Sequence, residues 1–178
     1  MNIEIKLSDG AILPQCAHES DTGYDVFAFT EPQVIGKLAR NGFYSSIDYI
    51  EYDTGISIAP EALKYNLQPH LTKYGFLDVR PRSSISKYNL VLANPPATID
   101  HAYRGTIKLR FKYMWQPEDM RFDALGHGIC KINMDKIYKK GDKIGQLVAV
   151  WKEPIKWKVV ETLSETSRSA GGFGSSGT

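Results

Sequence analysis

One stretch, Asn94-Pro95-Pro96-Ala97-Thr98-Ile99-Asp100-His101-Ala102-Tyr103-Arg104-Gly105, puts a carboxylate, an aromatic ring and a side-chain amide on what reads as a single hairpin. A carboxylate placed there can take a proton from water, and a ring can pack flat on a sugar. His101 is a second candidate base, although a lone loop histidine is ordinarily incidental. Four other segments carry residue types suited to a phosphorylated ligand. Arg82-Ser83-Ser84, after Pro81, offers a guanidinium, two hydroxyls and the N–H groups of a helix start, which together make an anion site. Asp25 follows a Gly turn at a strand start, and Gln146 lies where the turn at Gly141-Asp142 enters a buried strand. In the tail, Arg168 can fork onto phosphate oxygens, while Phe173 covers a flat base and the glycines around it let backbone N–H groups approach an anion. Read singly, each has an ordinary alternative: a solvated turn, an N-cap, a hairpin, a flexible tail.

The elements that must position these residues read as strands. Ile3, Ile5 and Leu7 alternate with polar neighbours, and Ile107, Leu109, Phe111 and Tyr113 alternate with Lys108, Arg110 and Lys112. Gly75 to Val79, Lys143 to Trp151 and Trp157 to Leu163 are further strand-like runs bounded by turn residues. Helical signals are confined to a turn or two over Pro60 to Tyr65 and a short helix before Lys87, capped by Ser83 or Ser84. The expected class is all-β. Three stretches, 31–52, 61–73 and 116–135, read as excursions from the sheet. The Ser- and Gly-rich segment 164–178 reads as a flexible arm after a domain spanning 1–163.

Bulk properties narrow the partners. A chain of 178 residues suits one domain or one protomer. With 22 Lys and Arg against 20 Asp and Glu, the net charge of +2 gives no polyanion-binding face, so nucleic acid is not expected. Cys16 and Cys130 lack the spacing of a disulfide scaffold or a zinc site. The amino terminus is charged and alternating, and no apolar run approaches membrane-spanning length, so a soluble, intracellular, cytoplasmic protein with no membrane partner is expected.

Taken in order, the segments resemble the five motifs of the trimeric deoxyuridine triphosphate nucleotidohydrolases, the dUTPases. They are TGYD (22–25), DTGI with PRSS (53–56 and 81–84), ATIDHAYRG (97–105), GDKIGQLV (141–148) and RSAGGFGSSG (168–177). The resemblance implies a distorted β jelly roll assembled as a homotrimer, with each site drawing on all three chains. It implies Mg²⁺-dependent hydrolysis of dUTP to dUMP and pyrophosphate, limiting uracil in DNA and supplying dUMP for dTTP synthesis. With three insertions near 31–52, 61–73 and 116–135, the chain is similar to viral or phage-like members. Those insertions are a possible surface for another protein.

By the same resemblance, Asp100 would activate the water attacking the α-phosphorus and hold the sugar 3′-hydroxyl. Tyr103 would lie against the deoxyribose, and Asn94 with the backbone through Thr98, Ile99 and the Lys108 region would read uracil. Arg82, Ser83 and Ser84 would contact the phosphates, Gln146 the α-phosphate, and Asp25 the metal through water as an outer-shell partner. Arg168 would meet the γ-phosphate and Phe173 would stack on the base, with Gly174, Ser175 and Ser176 closing over the triphosphate. The sequence departs from the family pattern at Ala97, Gly145 and Ser169, where Gly, Ala and Gly are usual. Two rivals remain: a dCTP deaminase of the same fold, whose catalytic glutamate is replaced here by Arg110, and a binding or regulatory protein on the same scaffold.

Overall fold

The computed structural model describes residues 3–60, 63–68, 71–167 and 169–170. Alternation becomes sheet structure along most of the chain. In order, the strands are β1 (Glu4–Leu7), β2 (Tyr24–Phe27), β3 (Gln33–Leu38), β4 (Tyr44–Asp53), β5 (Ile56–Ala59), β6 (Lys64–Gln68) and β7 (Leu71–Arg80). They continue with β8 (Leu90–Leu92), β9 (Ala97–Ile99), β10 (Lys108–Tyr113), β11 (Met120–Phe122), β12 (Gly128–Cys130) and β13 (Lys143–Lys152). Helical structure among the described residues is limited to short 3-10 turns. No helix among them is long and apolar enough to cross a membrane.

The strands form two larger antiparallel sheets around one core, the distorted jelly roll expected. One sheet runs β11-β12-β4-β10-β8 with β3 also on β4, and the other runs β2-β13-β7-β6 with β9 also on β7. A separate ribbon pairs β1 with β5. Strand β10 shows why the fold takes this form: Leu109, Phe111 and Tyr113 are buried while Lys108, Arg110 and Lys112 face outward. The centre of the core is aromatic. Tyr52, Phe111 and Tyr138 meet one another with ring centroids 5.5–6.1 Å apart, and Tyr52 Oη donates to the Tyr138 carbonyl at 2.8 Å. Burial of each such side chain contributes about 1.5–3 kcal/mol. It also pushes the Tyr138 hydroxyl up to about 12.

Several expectations need correction. The stretch 31–52 is not an excursion: it holds β3 and most of β4, and β4 pairs with β3, β10 and β12. Its alternation is hard to read because two register shifts interrupt the β3–β4 ladder. Stretch 61–73 holds β6 and the start of β7, and 116–135 holds β11 and β12 at the edge of the first sheet. Where a turn or two was expected over Pro60 to Tyr65, Leu63 N–H donates to the Pro60 carbonyl and Lys64 enters β6. Trp157 to Leu163 forms no strand. Trp157, Val159 and Leu163 stand 87%, 96% and 86% exposed.

Candidate functional site

The segment expected as a hairpin around Asp100 is a bend joining β9, which pairs with β7 in one sheet, to β10, which pairs with β4 and β8 in the other, rather than two paired strands. Tyr103 N–H donates to the Asp100 carbonyl at 2.9 Å, closing the turn, and Tyr103 Oη donates to the Thr106 carbonyl at 3.0 Å. The phenol folds back over Gly105, where a Cβ would stand 2.7 Å from Tyr103 Cζ, so a side chain there would displace the ring. The Pro95–Pro96 peptide entering the hairpin is cis. Ala97, in a position where the family usually has glycine, is extended within β9 opposite Val79, a conformation any residue adopts.

Strand β9 is fastened to β7 by a side chain that the sequence reading missed. Asp78, buried and opposite Thr98, accepts a hydrogen bond from Thr98 Oγ1 at 2.9 Å and lies 3.6 Å from Arg80 Nη2. On the other flank, Thr106 Oγ1 donates to Asp53 at 3.2 Å, and Lys108 Nζ donates to Glu51 at 2.8 Å. The hairpin is therefore held from both sheets.

These contacts shape a cavity of about 310 Å³. Six residues expected at the site line it: Asn94, Thr98, Ile99, Asp100, Tyr103 and Lys108, joined by Thr106, Ile107 and Arg110. Asp100 and Thr98 also border a second hollow with Tyr74 and His101. His101 is tied to the scaffold, with Nδ1 3.4 Å from the Gly75 carbonyl and its ring edge-on to Tyr74.

The second set of expected residues gathers around Asp25, and here the structure departs from the picture of a solvated turn. Register places Asp25 of β2 opposite Gln146 of β13, and Gln146 opposite Arg80 of β7. Asp25 is 4% exposed. Its carboxylate faces Arg82 Nε at 2.9 Å and Lys143 Nζ at 3.0 Å, and accepts from Gln146 Nε2 at 3.2 Å. Burial works to raise the carboxyl, but the bonds from Lys143 and Gln146 and the charges of Arg82 and Lys143 outweigh it and hold it below the usual range. Arg82 Nε lacks the alignment of a hydrogen bond, so this buried N–H has no aligned acceptor among the described residues.

Ser83 to Lys87 is a single 3-10 turn whose N-cap residue is Arg82, with no side-chain cap bond, in place of the Ser83 or Ser84 cap expected. So short a turn leaves the side chains of Arg82, Ser83 and Ser84 as the groups there that could meet an anion. At Gly145, a Cβ would lie 2.8 Å from Leu109 Cδ2 and 3.1 Å from Val79 Cγ1, so the alanine usual there would press on the core. Ser169 has φ +42, the left-handed region natural to the glycine usual at that position. Arg168, Phe173, Gly174, Ser175 and Ser176 lie outside the described residues.

Among the described residues no hydrogen bond or ion pair joins the hairpin set to the Asp25 set. Nor does any group of three or more His, Cys, Asp or Glu residues among them form a direct metal site. Asp25 fits an outer-shell role instead: a carboxylate offers about four acceptor positions, and three donors approach this one.

No family model matches the chain. Curated relatives do. The deoxyuridine 5′-triphosphate nucleotidohydrolase of Clostridium acetobutylicum is 33% identical, the alignment covering 99% of this chain and 97% of the relative. The chain belongs to the dUTPase family. A second member, from Rickettsia canadensis, is 34% identical over 93% of this chain and 88% of its own. Among solved structures, the dUTPase of Staphylococcus bacteriophage 80alpha with dUPNHPP superposes at a TM-score of 0.68 with 25% identity, covering 99% of both chains. A mutant dUTPase from phage phi11 of S. aureus, described with a structural Mg(II) ion, superposes at 0.58 with 22% identity over 91% of this chain and 98% of that one.

Set in this family, the position of Arg110 separates the chain from the deaminase rival. The carboxylate nearest to it is Glu51, at 2.8 Å from Arg110 Nε. A hydrogen bond from Lys108, with one from Arg110, holds Glu51 below the usual range, so it is a poor proton shuttle.

Proposed function

We propose that the chain hydrolyses dUTP to dUMP and pyrophosphate, with Asp100 as general base. One observation carries the reading: the cavity lined by Asp100, Tyr103, Asn94, Thr98, Ile99 and Lys108, which unites a carboxylate, a ring and an amide on one hairpin. Water oxygen attacks the α-phosphorus and its proton passes to the Asp100 carboxylate. The bond from that phosphorus to the bridging oxygen breaks, and pyrophosphate leaves. Tyr103 packs under the deoxyribose, where a 2′-hydroxyl would collide, while Asn94 and the Thr98–Ile99 backbone read the base. The product dUMP feeds dTTP synthesis, and removal of dUTP keeps uracil out of DNA.

Arg82, Ser83, Ser84 and Gln146 bind the phosphates in this reading. Mg²⁺ would neutralise triphosphate charge, with Asp25 as its outer-shell partner through water. Arg168 and Phe173, with Gly174, Ser175 and Ser176, would close the site as the arm 164–178.

We further propose a homotrimer in which each site is divided between copies. Among the described residues no hydrogen bond or ion pair joins the hairpin set to the Asp25 set, which supports a site completed by sets from different copies. Two surfaces support association: the exposed Trp157, Val159 and Leu163, and an apolar hollow lined by Ile3, Ile5, Leu13, Tyr24, Leu77 and Leu147. The stretch 116–135, whose strands β11 and β12 lie at the edge of the first sheet, would be open to a protein partner, in a soluble cytoplasmic enzyme.

A substrate panel tests the reading. Pyrophosphate release from dUTP, without ammonia release from dCTP, is expected. Ammonia from dCTP would favour the deaminase, and binding of dUTP without turnover would favour the regulatory protein.

A further inference from the structure

We propose that Arg110 is a specificity-determining residue, held by Glu51 and Tyr49 so that it selects a pyrimidine with a carbonyl at the 4-position over cytosine. The proposal rests on the dUTP reading, which places the sugar against Tyr103 and Asp100.

Strand β10 sets the direction. Thr106 receives the Tyr103 hydroxyl on its carbonyl, which fixes the sugar end of the cavity. Lys108 and Arg110 follow on the outward face of the strand, spaced roughly 7 Å apart by its pleat. At the far end the Arg110 carbonyl accepts from Ala93 N–H, so Arg110 stands beside the chain that leads into Asn94. Both Arg110 and Asn94 line the cavity. A base entering from the sugar end presents its distal edge to these two residues.

The guanidinium is fixed before any ligand arrives. Register sets Arg110 opposite Glu51 and Lys108 opposite Asp53, so a row of acids on β4 faces a row of cations on β10. Glu51 is buried, takes Arg110 Nε on Oε2 at 2.8 Å, and takes Lys108 Nζ on Oε1 at 2.8 Å. Tyr49, two residues before Glu51, lies under the guanidinium with its ring centroid 4.4 Å from Cζ. Nε is thereby spent on Glu51 and one face on Tyr49, which leaves the terminal amino groups to act as donors.

Selectivity follows from what arginine cannot do. It has donors and no acceptor. Uracil presents a carbonyl oxygen at the 4-position, which accepts such a donor. Cytosine presents an amino group there, which sets donor against donor and leaves both unpaired beside a positive charge. A site built to bond one group discriminates strongly against an analogue that cannot return the bond. Glu51 acts through Arg110 and is a positioning residue.

The rival explanation is a cross-strand charge ladder that only steadies the sheet. Binding of dUMP and dCMP by calorimetry, with thermal melts, separates the two on the full-length protein. In Arg110→Gln the affinity ratio of dUMP over dCMP should fall about tenfold or more, the effect of losing one hydrogen bond to a charged group. Glu51→Gln should lower the ratio in the same direction, by releasing the guanidinium. Arg110→Lys keeps the ion pair but loses the planar fork and the Tyr49 stack; it should also lower the ratio, and it serves if Arg110→Gln does not fold. An unchanged ratio in the folded Arg110 variants overturns the proposal, whatever happens to the melting temperature, and leaves the dUTP reading intact. A wild-type protein that binds neither dUMP nor dUTP overturns that reading and this one together.

Discussion

Asp100 is the residue on which the proposed chemistry turns, and it borders both the hairpin cavity and the adjoining hollow. Asp100→Asn keeps the shape and a hydrogen bond to the sugar but cannot accept the proton of water. Steady-state rates should fall roughly 10²- to 10⁴-fold with dUMP affinity retained. A variant holding more than about a tenth of the wild-type rate would remove Asp100 from this role. Charge matters at two other carboxylates. Asp25 and Glu51 are both held below the ordinary carboxylate range in the folded protein. A carboxyl depressed by folding stabilises the fold fully above its unfolded value, about 4, and loses that contribution as pH falls through its folded value. Melting temperature should therefore drop through the acid range. In Glu51→Gln it should start lower at neutral pH and fall less steeply; parallel curves for the two proteins would contradict the assignment.

Among the elements, the β7–β9 ladder sets the hairpin. Asp78→Ala leaves Thr98 Oγ1 without its acceptor and Arg80 without its partner. A hydrogen bond to a charged group is worth about 1.5–3 kcal/mol, so chemical denaturation should show a loss of that order. The KM for dUTP should rise as the β9 wall loosens, and Asp78→Asn, which retains an acceptor, should restore most of it. If Asp78→Asn fares no better than Asp78→Ala, the hydrogen bond is not what fixes the wall. Strand β10 was readable because one face is buried and the other wet. The hairpin residues followed from type and motif order. Asp78, Glu51 and Arg110 were not readable as site-builders, since their roles depend on which strands pair and in what register: Asp78 meets Thr98 twenty positions away, and Glu51 meets Arg110 fifty-nine away. Strand β3 was missed for a local reason, as its outward side chains and shifted ladder erase the alternation. Trp157 to Leu163 alternates like a strand but is paired with none of the described strands.

At the scale of the whole molecule, the proposed division of the site between two sets of residues would make assembly a requirement. In the proposed reading the hairpin cavity would hold the base, the Asp25 set would hold the phosphates, and the arm carrying Arg168 and Phe173 would close over an Asp100 belonging to another copy. Asp100→Asn keeps its arm, and a chain ending at Leu163 keeps its Asp100; neither alone should turn over dUTP. The most direct measurement is pyrophosphate release from dUTP by the two refolded together, with mixed trimers verified by differential tagging. Partial activity is expected in the mixture, because some sites combine an intact Asp100 from one copy with an intact arm from another. Full activity of the truncated chain by itself, or verified mixed trimers that remain as inactive as their parents, would contradict the shared site.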